Sequence, residues 1–462
     1  RDAMTDPALF GDTFGGDSFT AWRALLSGFY GLELEPDELD TFKALTARQT
    51  APTAAFAELW LAVGRRGGKS YAAGLLAVYL AAFHDYRDRL APGEIATVMC
   101  IAADRKQARA VMRYISGMMA DNPMLARMIV KENGEQIELN NRTIIEITTA
   151  SHRSVRGYTL AAVIADECAF WHVDGASPDA EIIAAVRPAL ATLDGKLIAL
   201  SSPYAKRGVL WDTYKRCFGD DTETRVLVAQ APSKTMNPTL PQRVIDDAMR
   251  DDAARACAEY LAQFRSDISA LISSDLIDGA QRQKPLELPP MRGVDYRAFV
   301  DPAGGGSDEF TLAIGHEENE RIVVDLVRGL TGSPAEIVRE YADILRRYSI
   351  RRVTGDRYAG RWPRDEFLRF NIRYDVSELD RSGLYLEFLA AMNSGRVQIP
   401  NCQVLARQFL GLERRTGRSG RDMIDHAPGA HDDRANAVAG LVSCLSARKP
   451  SGIFLTGIKM GA

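Results

Sequence analysis

A chain of 462 residues exceeds what one ordinary hydrophobic core organises and calls for roughly two to four domains. With 46% hydrophobic and 26% charged residues it is neither disordered nor fibrous, and a net charge of −4 excludes a basic coat over the whole surface, though not a local basic groove. The six cysteines form no C-x-x-C pair, which excludes a thiolate zinc site and a redox dithiol and favours a reducing cytosol, and the longest apolar run, Tyr71 to Phe83, is too short to span a bilayer.

The opening RDAM makes Met4 the expected start, and residues 1–40 read as an N-terminal segment. In WLAVGRRGGKSYAAGLLAVYLAAF, Trp60 to Phe83, apolar Leu59–Val63 is expected to be a buried strand. Gly67, Gly68, Lys69 and Ser70 follow as a turn, and the run from Tyr71 reads as a buried helix. A strand, a glycine turn, then a Lys and a hydroxyl opening a helix is what a phosphate cradle requires, because the first helical N–H groups face the anion. The first glycine of G-x-x-x-x-G-K-[ST] falls on Val63, with Gly64 one residue late, so the loop is read together with the machinery around it. Upstream, Gln49 lies close enough to fold back and hydrogen-bond an adenine edge, or is an exposed loop residue.

Further strands are expected at Ile95–Ala103, at RTIIEITTA, at Leu160–Ala165 and at KLIALSSP, with a helix in DRKQARAVMRYISGMM. Strands alternating with helices imply a mostly parallel sheet, whose ligands gather at the carboxyl ends of the strands. Asp166 and Glu167 end the LAAVIADECAFW strand, where the first would hold Mg²⁺ and the second would orient and deprotonate an attacking water. Ser201 and Ser202 end KLIALSSP, where a hydroxyl senses a γ-phosphate or simply makes a turn. Arg65, Arg66, Arg153 and Arg156 lie near strand ends as candidates to neutralise a transferring phosphoryl group, in cis or from a neighbouring subunit.

Pro232, Pro238 and Pro241 open a helical connection over 232–272. A strand-rich pattern begins beyond it, with Ala298–Val300, Phe310–Gly315 and Ile322–Val327 reading as an antiparallel meander. Asp301 ends its first run and Asp308 precedes the second. A helix, PAEIVREYADILRRYS, leads to the strand IRRVTGD, which carries Asp356, and His431, Asp432 and Asp433 open an apolar last helix. Acids at a helix start are ordinarily caps. Three acids on the first strand, a later parallel strand and the last helix are also what an RNase H-like site needs to clamp two Mg²⁺ or Mn²⁺ ions about 3.5–4 Å apart. Between them, GLERRTGRSGRDMIDH reads as a hairpin whose Arg414, Arg415, Arg418 and Arg421 would hold duplex phosphates.

Taken in order, Gln49, GRRGGKS, RGYTLAAVIADECAFW, LSSPYAKRGVLWDTYKR, VDPAGGGSDEFTLAIG, GDRYAG and HDDRANAVAG resemble the large terminase subunit of tailed bacteriophages, the motor nuclease that packages genomes. The resemblance covers roughly Phe42 to Cys444 and includes an arginine-containing variant of the phosphate loop. It implies an α/β chain with a P-loop (ASCE-type) ATPase over 41–231, a lid over 232–272, an RNase H-like nuclease over 273–448 and a tail over 449–462. By matching positions, Arg65, Gly67, Gly68, Lys69 and Ser70 would bind ATP and Mg²⁺, Asp166 the metal, Glu167 would be the catalytic base, and Ser201–Ser202 the coupling motif, with Ser202 at the nucleotide. Asp301, Asp356, Asp432 and Asp433 would hold the nuclease metals; Arg66 and Arg156 would serve the ATPase site, with Arg153 or Arg156 the candidate to act from a neighbouring subunit; Asn436 stands where some RNase H-like enzymes carry another acid. The implied partners are double-stranded DNA, a small terminase subunit, the portal of a procapsid and further copies of the chain in a pentameric ring, in the cytoplasm of an infected bacterium and without a membrane. The alternative is a helicase-like or remodelling ATPase whose RNase H-like domain binds without cutting.

Overall fold

The computed structural model describes residues 1–150, 155, 157–171, 178–303, 308–356, 361–416, 422–426 and 430–446. The chain divides into two compact units, Arg1–Asp267 and Ile268–Ala462.

The first unit is built on an eight-stranded sheet. Its strands are β1 (Glu58–Val63), β2 (Ala96–Ala102), β3 (Ile129–Glu132), β4 (Gln136–Leu139), β5 (Thr143–Thr149), β6 (Thr159–Asp166), β7 (Lys196–Ser201) and β8 (Val226–Ala231), in the order β3-β4-β5-β2-β6-β7-β1-β8. From β5 to β8 every pairing is parallel, and β3 and β4 add an antiparallel edge. Of these, β1, β2, β6 and β7 read as nearly unbroken apolar runs because both their faces are covered. Leu59, Leu61 and Val63 enter one core while Trp60 enters the other. One strand, β7, separates the strand before the glycine turn from the strand that ends in Asp166, which is the ASCE-type order.

Two parts of this unit were not legible as core. Phe10, Phe14, Trp22, Leu25 and Phe29 from the N-terminal segment are buried with β1 and the helix Lys69–Ala82. The segment after β8 forms the helices Ser233–Met236, Gln242–Asp251 and Ala253–Leu261, and it belongs to the first unit.

The second unit carries β9 (Ile268–Ala270), β10 (Gln281–Arg282), β11 (Tyr296–Asp301), β12 (Phe310–Glu318), β13 (Arg321–Leu330), β14 (Arg352–Gly355), β15 (Arg373–Val376), β16 (Val397–Pro400), β17 (Leu412–Thr416) and β18 (Asp422–His426). Seven of them form a sheet in the order β10-β16-β13-β12-β11-β14-β15, and β18-β17-β9 form a small second sheet. The expected meander is β11, β12 and β13, joined antiparallel, while β14 and β15 extend the other side of β11 in parallel. That is the RNase H-like order. The last helix, Asp433–Ser446, packs on β11, and Gly440 makes the approach close enough: a Cβ there would lie 2.5 Å from the Phe299 ring. Among the described residues no helix is long and apolar enough to cross a membrane.

Candidate functional site

In the first unit the carboxyl ends of β1, β6 and β7 converge, as the parallel order requires. Lys69 opens the helix behind the glycine turn and is buried; its Nζ donates to Val63 O at 3.0 Å and to Ser202 Oγ at 2.9 Å, and lies 3.4 Å from Glu167 Oε1. The other Glu167 oxygen accepts from Ser201 Oγ at 2.9 Å and from Ser202 N–H at 3.1 Å. Glu167 itself has φ +51°, a left-handed conformation costing an L-residue roughly 1–2 kcal/mol, of the kind that gathers at functional sites. Lys69, Glu167, Ser201 and Ser202 are thus one network.

Beside it, Asp166 is buried and its carboxyl is pushed up to about 7, first by burial and then by Glu167, against the pull of Lys69 and Ser70. Its Oδ1 has no hydrogen-bond partner among the described residues. A buried carboxylate oxygen without a donor, next to a hydroxyl on the first helical turn, fits a magnesium ion brought in with a triphosphate. The helix Lys69–Ala82 has Gly68, at φ +85°, as its N-cap and no side-chain cap, so its first N–H groups remain available to an anion.

The remaining candidates of this unit sit farther out. Gln49 is exposed; its backbone N–H is held by Asp221 and its side chain turns to Ala47 O. Its neighbour Arg48 is the buried one, donating to the carbonyls of Asp221 and Glu223. Arg65 is exposed and pairs with Glu259 at 3.1 Å, and Arg66 is exposed with φ +63°. Arg153 and Arg156 lie outside the described residues.

In the second unit the end of β11, the end of β14 and the last helix meet at Asn436. Its Nδ2 donates to Asp301 Oδ2 at 2.8 Å and to Asp356 Oδ2 at 3.2 Å, and all three residues are on elements that the sheet order brings together. The Asp301 carboxyl is pushed up to about 7, chiefly by burial and further by Asp356 and Asp433, while Asn436 and Arg381 pull it down. Asp433 is itself raised, mainly by burial, and its Oδ2 accepts from Glu309 N–H at 3.4 Å. Asp432 points elsewhere: it accepts from Tyr385 Oη at 2.7 Å and lies 3.5 Å from Arg381. Asp308 is exposed and 3.5 Å from His431.

Asp301 and Asp356 bring together hard carboxylate oxygens of the type that divalent cations take, joined here by the Asn436 amide. No group of three or more His, Cys, Asp or Glu side chains is arranged to hold a metal among the described residues, so the two-ion clamp expected from Asp301, Asp356, Asp432 and Asp433 is not reproduced by them.

On the small sheet, Arg414 is exposed, whereas Arg415 turns toward buried Glu413 at 3.1 Å. The hairpin was expected; the opposite facing of these neighbours follows from strand alternation, which the RR pair concealed. Arg418 and Arg421 lie outside the described residues. Sequence reading missed Trp22, whose Nε1 donates to Gly67 O at 3.0 Å, and Arg381 and Tyr385, which carry Asp432. None of these lies in a motif.

No protein family model matches the sequence, and no curated protein does. Among solved structures, the large terminase of bacteriophage HK97 is 17% identical, with 91% of this chain and 99% of that chain covered and a TM-score of 0.39. The chain is similar to large terminases. The large terminase of the thermophilic bacteriophage D6E in complex with ADP matches at 12% identity over 87% of this chain and 97% of that one, TM-score 0.39. The large terminase nuclease of the thermophilic phage G20c with bound magnesium matches at 16% identity over 37% of this chain and 95% of its own, TM-score 0.32. It is the two strand orders that carry the fold.

Proposed function

We propose that this chain is the motor subunit of a viral DNA-packaging machine, a large terminase that hydrolyses ATP to move double-stranded DNA into a procapsid and cuts the DNA with its second unit. What carries the reading is that two separate sheets in one chain each end in a pair of acids at a strand's carboxyl end, Asp166–Glu167 held in a network with Lys69 and the serines on one, and Asp301–Asp356 joined by Asn436 on the other.

In the first site, the uncapped helix start and Lys69 would take the phosphates. Lys69 would exchange its carbonyl and Ser202 partners for phosphate oxygens, and Glu167 would lose its cation. Its carboxylate, still oriented by Ser201 and Ser202, would then accept the proton of a water attacking the γ-phosphorus, with ADP as the leaving group. Ser202, touching both Lys69 and Glu167, would report the exchange to β7. In the second site, Asp301 and Asp356 would hold divalent cation and Asn436 would fix their facing oxygens. A bound divalent ion supplies charge neutralisation and water activation there. Asp433 would join from the helix start. The small terminase subunit, the portal, the ring of copies and the docking at a procapsid belong to this proposal.

The test is paired. Glu167→Gln should bind ATP and lose turnover by about 100-fold or more, and Mn²⁺-dependent plasmid cutting by the wild type should disappear in Asp301→Ala. Unchanged turnover removes the motor; cutting that survives the substitution removes Asp301 from the nuclease. A second reading, an ATPase acting on nucleic acid with a non-cutting second unit, is favoured by Asn436 lying across the two acids. Absence of cutting by every preparation with either metal would select it.

A further inference from the structure

Three successive carbonyls of the glycine turn are each held from outside it. Ser233 Oγ donates to Arg65 O at 2.6 Å, Asn237 Nδ2 to Arg66 O at 2.9 Å and Trp22 Nε1 to Gly67 O at 3.0 Å. We propose that Ser233, Asn237 and Trp22 are positioning residues that set the loop's affinity for a nucleoside triphosphate; the inference rests on the ATPase reading above.

The argument starts from the planar trans peptide, in which the C=O of one residue and the N–H of the next point in opposite directions. Pinning the carbonyls of Arg65, Arg66 and Gly67 therefore turns the N–H groups of Arg66, Gly67 and Gly68 away from the three donors. Gly67 N–H closes the turn on Gly64 O at 3.2 Å. The other two lead into the N–H groups of the helix start, and alternating backbone hands of this kind form an anion-binding concavity. Holding it has a cost: Arg66 at φ +63° is an L-residue in the left-handed region, and Gly68 stands at φ +85°. Three hydrogen bonds to successive carbonyls of the turn act against that strain.

The close approach is built into the sequence. A Cβ on Gly64 would lie 2.3 Å from Ser233 Oγ, and one on Gly68 would lie 3.3 Å from Trp22 Nε1. Ser233 and Trp22 are buried, and all three donors are neutral, so they orient the loop without placing a charge that competes with phosphate or with Lys69. Glu259 holds Arg65 twice, its carbonyl accepting the Arg65 N–H at 2.5 Å and its carboxylate lying 3.1 Å from the guanidinium.

The experiment measures binding of a fluorescent ATP analogue and of inorganic tripolyphosphate, together with steady-state ATP hydrolysis and melting temperature, for the full chain. The variants are Ser233→Ala, Trp22→Phe and Asn237→Asp, the last keeping the acceptor that Thr239 uses while replacing the amide donor with an anion. Each should raise Kd for both probes and KM for ATP about tenfold, with kcat moving less than KM. Asn237 is only half-buried, so its variant is the one least able to act by unfolding. Wild-type Kd and KM in Asn237→Asp and Ser233→Ala overturn the proposal, as does a loss in kcat alone. If the wild type binds neither probe and Lys69→Ala changes nothing, the ATPase reading itself has failed, and the two failures are distinguishable by that control.

Discussion

Asn436 on the last helix donates its amide hydrogen to Asp301 at the end of β11 across 2.8 Å, and the rest of its side chain is sealed from solvent, its Oδ1 without a partner among the described residues. One neutral residue therefore tempers a carboxylate that burial pushes up to about 7. Asn436→Asp puts a further acid against Asp301 and Asp356. In EDTA at pH 8 the variant should melt several degrees below the wild type, since an uncompensated buried charge costs roughly 3–5 kcal/mol. Mn²⁺ should recover most of the loss. A variant that melts like the wild type in EDTA would mean that Asn436 does not face both acids.

Stability without metal should fall as pH rises from 5 to 8. Asp301 and Asp166 both have folded values near 7, raised mainly by burial, against an ordinary carboxyl near ~3.9. Between those values the folded chain keeps protons that the unfolded chain has released, so deprotonation works against the folded state through that window. Asp356, Asp433, Arg381 and Asn436 surround the first group, and Glu167, Lys69 and Ser70 the second. Melting in EDTA across this range measures the slope, and Asp301→Asn should reduce it by the Asp301 share, leaving that of Asp166. Because burial lowers His84 and the N-terminal amine, which act with the opposite sign over this range, the deciding comparison is between the two curves: a slope that Asp301→Asn leaves unchanged contradicts the burial of that carboxyl.

Arg414 and Arg415 should separate cleanly. Arg414 is exposed, and Arg414→Glu should weaken duplex binding and reduce its salt dependence with little change in melting temperature. Arg415 lies 3.1 Å from Glu413, which is fully buried, so Arg415→Glu sets two anions against each other and should lower the melting temperature by several degrees. Equal effects of the two on stability would place both side chains on one face.

How far these features were legible follows a physical line. The parallel strands were readable because strands covered on both faces are unbroken apolar runs, as at Leu160–Ala165, and the acids at their ends stand out against that background. Asp301 and Asp356 could be paired because each closes a strand. The N-terminal helix Thr20–Phe29 carries no such mark: Trp22 reaches Gly67 from 45 residues upstream, a contact that only tertiary packing creates. Asp432 and Asp433 were one pair in the sequence and have different partners in the fold, because successive residues at a helix start point in different directions.

Gly440 sets the height of the last helix above the sheet. A Cβ there would fall 2.5 Å from the Phe299 ring, and Phe299 is fully buried on β11, two residues before Asp301. Asn436 lies one turn earlier on the same face as Gly440, so lifting the helix also lengthens the bond from Asn436 to Asp301. Gly440→Ala should therefore cost about 1–3 kcal/mol by overpacking, although alanine favours helix. It should also lower metal-dependent cutting more than its stability loss alone predicts. Gly279→Ala, where a Cβ meets nothing within 4 Å, is the matched control and should melt within about 0.5 kcal/mol of the wild type. Chemical denaturation and plasmid digestion of both variants make the comparison. A stabilised Gly440→Ala would show that the helix does not pack against Phe299 at this distance, and that Asn436 is held in place by something other than the depth of the helix.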